Sequence, residues 1–206
     1  MQKRYRISSI NLLFFPVVTI ILFIAIVLNN QQVIMTKNSI LFDYIASARE
    51  GKIGYGFNQY YGNDISFADL EPGDIILGSY PGCAYGEYSH AAIYIGNGQV
   101  AEGYVDLGIN VQPVGHFREY QKVCLLRVEA PMETKTAAVE YVLDHLGEMF
   151  YPVAFKDGDR FWNCTKIMWK AYCEQGLDLD YTQDVWVAPD VFYNSPHIVL
   201  LREKGR

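Results

Sequence analysis

The chain has 206 residues, half of them hydrophobic, and its 17 basic and 23 acidic side chains give a net charge of −6. This length suits one good-sized domain with additional segments rather than two clear domains. The acidic balance argues against a nucleic-acid partner, because such binding rests on neutralising phosphates with lysine and arginine.

The N-terminus has the features of a membrane anchor. Residues 1–6 carry three positive charges, and the 19 residues from Ile10 to Leu28 carry none. A run of that length can span a membrane and exceeds a usual signal-peptide core. No small-x-small cleavage pattern follows it, so we prefer an uncleaved signal anchor to a cleaved signal peptide. Because the basic residues precede the span, the N-terminus is expected in the cytoplasm and the rest of the chain outside it.

The chain divides into an anchor at 1–30, a juxtamembrane helix and loop at 31–67, and a globular domain at 68–206. The juxtamembrane helix is expected around Ser39–Arg49, followed by a Gly- and Tyr-rich loop. In the domain, strand patterns lie after the Pro72-Gly73 turn and at 89–95, 99–103, 123–128 and 197–201, and helical patterns at 134–146 and 163–176. Strands and helices in this order, with antiparallel hairpins, indicate an α+β fold with an antiparallel sheet packed on helices.

The helix predicted at 163–176 presents a cysteine at its start. Asn163 is a good N-cap residue and Gly176 a good stop. Cys164 opens the mostly apolar face of this helix. A thiol in the first turn feels the positive end of the helix dipole, which favours the thiolate. Cys164 is therefore either a nucleophile or a small buried hydrophobe, since free cysteine is often buried.

The hairpin at 89–103 could bring a base to that thiol. If Gly96–Gly98 form a three-residue loop, His90 faces Tyr104 and Glu102 lies diagonally beside His90 on the same face. If the loop is only Asn97-Gly98, Glu102 points to the opposite face. In the first case Glu102 can hold one nitrogen of His90 and leave the other free for Cys164, which is the order of a cysteine hydrolase triad.

Five short motifs, taken together, resemble the YiiX/YebB-like proteins, the circularly permuted branch of the NlpC-type papain-like cysteine hydrolases. They are Pro72-Gly-Asp-Ile-Ile76, Ser89-His-Ala-Ala-Ile-Tyr-Ile-Gly-Asn-Gly98, Ala101-Glu-Gly103, Asn163-Cys-Thr165 leading into Trp169-Lys-Ala-Tyr172, and Ala188-Pro-Asp190. In that family the strand with the histidine precedes the helix with the cysteine, as it does here. The resemblance covers roughly residues 68–200 and implies a permuted papain-like fold.

The resemblance implies that Cys164 is the nucleophile, His90 the base and Glu102 the third, polar member of a triad. The family usually carries Ser or Glu after the nucleophile, whereas this chain has Thr165-Lys166. Lys166 could support the thiolate or mark an altered substrate. The backbone N–H of Cys164 is the natural oxyanion donor at a helix start, with a tyrosine from the 80–94 region as an unassigned addition.

These features predict a membrane-anchored, extracytoplasmic cysteine hydrolase, an amidase or peptidase acting on a peptide or acyl-amide of the cell envelope. One alternative is a lipid acyltransferase or acyl hydrolase, as in the related lecithin:retinol acyltransferase branch. The other is a papain-like shell that binds peptides or envelope partners without catalysis. The product released, amine or lysolipid, separates the two enzymes, and a trapped acyl-enzyme separates both from the binding protein.

No cofactor or metal is expected. A zinc site from His90, Glu102 and Cys164 would use permitted ligands, but no paired histidine or Cys-x-x-Cys motif accompanies it. The remaining histidines, at 116, 145 and 197, show no ligand spacing. A Cys83–Cys124 disulfide is an open alternative outside the cell, and Cys173 is expected to be structural.

Overall fold

The computed structural model describes residues 9–29, 39–182 and 184–205. Its elements are α1 (Ser9–Asn29), α2 (Ile40–Arg49), β1 (Ile75–Ser79), β2 (His90–Gly96), β3 (Gln99–Tyr104), β4 (Gly108–Pro113), the 3-10 helix η1 (Val114–Glu119), β5 (Lys122–Val128), α3 (Met132–Asp144), α4 (Lys166–Cys173), α5 (Pro189–Asn194) and β6 (Ile198–Gly205). The expected α+β class is confirmed.

The six strands form a single antiparallel sheet in the order β4-β3-β2-β1-β5-β6. Because side chains alternate along a strand, each face of the sheet has its own core. Ile75 and Ile93 pack on one face with α3, α4 and α5. Ile76 and Ala92 pack on the other with η1 and residues 65–70. The central strand β1 is buried on both faces, which explains its continuous apolar run.

Helix α1 occupies 21 residues of the predicted anchor. In residues 9–29, 39–182 and 184–205, no helix combines the length and apolarity needed to cross a membrane. The transmembrane anchor stays a prediction. Residues 1–8 and 30–38, which also belong to the predicted anchor and juxtamembrane segment, lie outside the described residues.

Helix bounds differ from the sequence expectation in places where caps decide them. Helix α2 agrees, because the Ser39 hydroxyl caps it by accepting from the Phe42 N–H at 3.2 Å. Helix α4 is shorter than predicted and begins at Lys166, so Cys164 lies in the turn just before it. Helix α5 is not among the helices predicted from the sequence, and it starts with Pro189, a residue well suited to a first helical position.

The turn between β2 and β3 combines the two loops considered above. Asn97 and Gly98 both have positive φ, at 53° and 72°, which fits a tight two-residue turn. A bulge between Tyr94 and Gly96 then shifts the register, so that Ala92 pairs with Glu102. The register is therefore the one expected from a three-residue loop, and Glu102 lies diagonally beside His90 on the same face.

Residues 54–63 form a strap that follows the surface of the domain, held by backbone hydrogen bonds. Ala84 donates to Gly54, and Phe57 donates to Pro81 at 2.8 Å. Further along, Asn63 donates to Arg118 at 2.8 Å. The strap therefore ties the loop before β2 to the end of η1, two segments that border the candidate site.

Candidate active site

The three residues predicted from the sequence are brought together at one end of the sheet. His90 begins β2, and Glu102 lies near the end of β3. The turn carrying Cys164 approaches β3 at Gly103, where a Cβ atom would lie 3.0 Å from the Phe150 ring and 3.4 Å from the Asn163 carbonyl carbon. A side chain at position 103 would push this turn away from the strand, so glycine permits the close approach.

His90 and Glu102 form a buried pair. The Nε2 atom of His90 lies 2.8 Å from Oε2 of Glu102. The Glu102 side chain has no exposed surface, and that of His90 is 9% exposed. This is the geometry in which a carboxylate fixes the orientation and tautomer of an imidazole.

The Cys164 thiol lies within hydrogen-bonding reach of the His90 ring. Because Nε2 of His90 is held by Glu102, Nδ1 is the ring nitrogen left for another partner. Burial disfavours the charged imidazole, but the sulfur of Cys164 and the carboxylate of Glu102 outweigh it and raise the pKa of His90 from 6.5 to about 10. The arrangement therefore favours the charged imidazolium form of His90 beside the Cys164 sulfur.

A second histidine, which sequence reasoning missed, completes the cluster. The Nε2 atom of His116, on η1, lies 2.8 Å from Oε1 of Glu102. Neither atom has a well-directed hydrogen bond, so the contact is defined by the short distance between the two atoms. Burial would raise the pKa of Glu102, but His116 and His90 together hold it below its ordinary 4.5. The period-two pattern of Ile109 and Val111 could have revealed β4, but no local pattern marks His116 itself.

Aromatic rings enclose the imidazole of His90. Tyr104 stacks on it at 4.7 Å between centroids, and the Tyr120 ring lies nearly parallel to it at 6.0 Å. The two phenol oxygens are 3.1 Å apart. Gly78 makes room for Tyr120, since a Cβ there would lie 2.6 Å from that ring. These rings exclude water from the His90–Glu102 pair and strengthen its electrostatic interaction.

Asn163 and Thr165 hold the turn that carries the nucleophile. Oδ1 of Asn163 accepts from the backbone N–H groups of Thr165 at 3.2 Å and Lys166 at 2.7 Å. The residue at the N-cap position of α4 is Thr165 and not Asn163 as expected, so Asn163 stabilises the turn that carries Cys164. The Thr165 hydroxyl donates to the Val187 carbonyl at 2.6 Å and is almost fully buried. Thr165 therefore anchors the turn to the segment before α5.

Lys166 does not support the thiolate in the way the sequence suggested. Its amine donates a hydrogen bond to the carbonyl of Gly158 and lies 5.1 Å from the centroid of the Trp162 ring. The side chain is buried, and burial lowers its pKa. Lys166 is thus directed into the packing around Trp162, although it is only two residues from Cys164.

The Ala188-Pro189-Asp190 motif holds the loop that leads to His90. The Asp190 carboxylate accepts from the backbone N–H groups of Glu87 at 2.9 Å and Tyr88 at 3.1 Å. Gly86 has a positive φ, and a Cβ there would overlap this carboxylate. In the same loop the Tyr85 phenol donates to the Ser89 carbonyl at 2.8 Å, close enough to Cys164 for the two to interact electrostatically.

The other three thiols differ from Cys164. Burial raises the pKa of Cys83 to about 11 and those of Cys124 and Cys173 to about 12. All four cysteines are free, so the alternative of a Cys83–Cys124 disulfide is wrong for this structure. Cys164 is the thiol that faces a histidine.

An antiparallel sheet packed on helices, with a histidine strand that precedes the cysteine helix and a Cys–His–Glu cluster, defines a permuted papain-like protein. The model of the permuted papain-like amidase enzymes, the YaeF/YiiX or C92 family, matches residues 69–194, more than half of the chain. The chain belongs to this family, and the resemblance noted in the sequence is confirmed. A search of curated proteins finds no significant match.

A solved structure has the same fold. It is the crystal structure of YiiX from Escherichia coli O157:H7, described as a metalloprotein. It superimposes with a TM-score of 0.55 and 16% sequence identity, over 66% of this chain and 98% of the YiiX chain. At this identity the comparison supports the fold alone.

Proposed function

We propose that the protein is an extracytoplasmic cysteine amidase or peptidase with Cys164 as nucleophile, His90 as base and Glu102 as the residue that orients His90. The observation that carries this proposal is the buried 2.8 Å contact between His90 and Glu102, with Cys164 within reach of the same ring. Membership in a family of amidase enzymes supports the reaction class.

The chemistry follows from this geometry. The Cys164 thiolate attacks the substrate carbonyl carbon, after its proton has moved to His90. The resulting imidazolium gives that proton to the leaving amine as the C–N bond breaks, which leaves a thioester on Cys164. His90 then takes a proton from water, whose oxygen attacks the thioester, and Cys164 is released with the acid product. Glu102 stabilises the imidazolium in both half-reactions.

The turn before α4 supplies a candidate oxyanion donor. The N–H groups of Thr165 and Lys166 are engaged by the Asn163 side chain. The N–H of Cys164 is therefore the candidate donor to the developing oxyanion, and it belongs to the nucleophile itself.

A metal does not fit this site, although the similar YiiX is described as a metalloprotein. Both Nε2 atoms, those of His90 and His116, are directed at the carboxylate oxygens of Glu102 at 2.8 Å rather than at a shared point. Within the described residues, no three His, Cys, Asp or Glu side chains are arranged to hold a metal ion. The steps above use only side chains of the chain itself.

The substrate proposal follows from location. We propose that α1 holds the enzyme at the membrane with the catalytic domain outside the cytoplasm, where peptides of the cell envelope are the available amides. Support comes from the uncharged run after three basic residues, and from the exposure of Phe14, Phe15 and Phe23 on α1 at 66%, 79% and 66%. Intact-mass analysis of the membrane fraction tests this, and a mature N-terminus between residues 25 and 40 would contradict it.

Activity-based labelling tests the catalytic proposal. Full-length protein is treated with peptide-amide and acyl-lipid donor probes, and the labelled residue is mapped by mass spectrometry. The proposal requires an acyl group on Cys164 from the peptide probe, absent in Cys164→Ser. Labelling by the lipid probe with release of a lysolipid would instead support the acyltransferase, and the absence of any acyl-enzyme would support a binding protein.

Limiting iodoacetamide provides a second, substrate-free readout. Cys164 should be modified before the other three thiols, because a thiolate reacts and a buried thiol does not. First modification of Cys83 would move the nucleophile to the loop before β2 and overturn the assignment.

A further inference from the structure

Glu102 is a carboxylate with two differently used oxygens. Oε2 contacts His90, the proposed base, and Oε1 contacts His116, which has no role in the reaction described above. The Glu102 side chain has no exposed surface, whereas the His116 side chain is 17% exposed. His116 therefore lies between the catalytic pair and solvent.

Apart from His116, the polar groups around Glu102 are directed at atoms other than Oε1. Its neighbours with titratable groups are His90 on β2, Tyr104 on β3, His116 on η1, Tyr120 just after η1, and Cys164 acting through His90. The Tyr104 and Tyr120 hydroxyls are 3.1 Å from each other. The Asn110 amide, on β4, contacts the backbone carbonyl of Glu102 at 3.5 Å and not its carboxylate. His116 is thus the group that faces the second oxygen.

A buried carboxylate oxygen without a donor is unfavourable, and the charge it carries is then easily lost to protonation. If Glu102 were protonated, or rotated to find another donor, it would no longer stabilise the His90 imidazolium. The protein places an imidazole at this oxygen by following β4 with η1, whose Phe117 packs in the core under the site at 4.6 Å from the His116 ring.

We propose that His116 is a positioning residue of the catalytic site, which holds Oε1 of Glu102 so that Oε2 stays charged and directed at His90. This inference rests on the proposed function, because it concerns the same Cys–His–Glu cluster. The site would then be a chain of four residues, in which His116 acts through Glu102 and His90 on the Cys164 thiolate.

The test measures the rate of iodoacetamide alkylation of Cys164 against pH in the full-length protein, with kcat on a responsive amide probe as a second readout. His116→Phe keeps a ring but removes the contact with Oε1. We expect alkylation near neutral pH to slow about tenfold, because a buried carboxylate oxygen loses its polar neighbour. The acidic limb of the profile should also move to higher pH, because Glu102 loses a partner that lowers its pKa.

Two further variants separate positioning from folding. His116→Gln retains an amide N–H that can face Oε1 and should restore the rate to within about threefold of wild type, since a polar contact with the carboxylate is kept. His145→Phe is the matched control, because His145 is also a half-buried histidine in contact with aromatic rings but lies outside the site. It should change the melting temperature without moving the alkylation profile.

The inference is overturned if His116→Phe lowers only the melting temperature, as His145→Phe does, and leaves the alkylation profile at its wild-type position. It is also overturned if His116→Gln behaves like His116→Phe. Failure of the proposed function would give a different result. If His90→Ala leaves the rate and pH dependence of Cys164 alkylation unchanged, the thiolate–imidazolium pair is absent.

Discussion

Asp74 and Glu102 are carboxylates on the same sheet, each with no exposed surface, but their partners differ in kind. Asp74 contacts Arg127 at 3.0 Å and Lys135 at 3.2 Å, and it also accepts from the Glu71 N–H. Glu102 contacts two imidazoles. Arginine and lysine side chains keep their protons throughout a reaction, whereas an imidazole can accept and donate a proton during it.

The comparison shows that two equally buried carboxylates can differ in role, because their partners differ. A charge held by permanent cations is fixed, so the Asp74 cluster braces the turn before β1 against α3 and β5. A charge held by imidazoles can follow a proton as it moves, so the Glu102 cluster can support a reaction. Four predictions test this distinction, and they are ordered by expected effect.

His90→Ala should reduce turnover by about 10²- to 10⁴-fold, the usual contribution of a general base. Its removal also takes away the ring that faces the Cys164 thiol. Steady-state kinetics on the responsive amide probe measures the loss, with His145→Ala as the matched histidine control. If His90→Ala keeps its turnover, the Glu102 cluster is not catalytic.

Asp74→Asn should lower the free energy of unfolding by about 3–5 kcal/mol, because breaking a buried ion pair leaves a charge without its partner. That charge is on the Lys135 side chain, which is only 4% exposed and would keep only its longer, 3.6 Å contact with Glu71. Turnover per folded molecule should stay at its wild-type value. Denaturant unfolding and active-site titration provide the two measurements.

Asp69→Asn is the control for this variant. Asp69 pairs with Arg202 at the surface, with side chains 55% and 44% exposed. An exposed pair contributes about 0–1 kcal/mol, so little stability should be lost. A turnover defect in Asp74→Asn without loss of stability would remove the distinction between the two carboxylates.

Glu102→Gln should reduce turnover by about 10- to 100-fold, or about 1.4–2.7 kcal/mol in the activation free energy. The amide keeps the shape and can still accept from His90, but it lacks the charge that stabilises the imidazolium. A rate within a factor of about two of wild type, with only a lower melting temperature, would make Glu102 a structural residue like Asp74.

The smallest effect, at most about 1.4 kcal/mol for each pH unit, concerns the dependence of stability on pH. The folded-state pKa of His90 is raised from 6.5 to about 10, so its contribution is fully present below pH 6.5 and is lost as the pH rises through about 10. The free energy of unfolding should fall over this window more steeply in wild type than in His90→Gln. Asp74→Asn should keep the wild-type slope, and equal slopes in all three proteins would contradict the His90 assignment.

Much of the candidate site could be predicted because its members lie in short patterns. His90 and Glu102 belong to one hairpin, whose alternation places them on one face once the register is known. The register itself depended on a bulge at Tyr94–Gly96, which compensates for the tight Asn97-Gly98 turn. A bulge depends on contacts between neighbouring strands, so the loop sequence alone was compatible with both registers.

Two neighbours of the triad show where local reasoning fails. Lys166 is two residues from Cys164 in the chain, but its amine donates to the Gly158 carbonyl and lies over the Trp162 ring. His116 is fourteen residues beyond Glu102 and has no repeat or motif spacing. It reaches the carboxylate because β4 pairs with β3 and η1 then folds back over that face of the sheet.

The sequence by itself determined the α+β class, the order of histidine strand before cysteine helix, and three residues that could form a triad. These depend on periodicity, caps and motif order, which act within short stretches of chain. Only the tertiary structure decided that Glu102 faces two imidazoles, that Lys166 packs on Trp162, and that all four thiols are free. Those outcomes depend on which distant segments meet, and that is set by burial of both faces of the sheet.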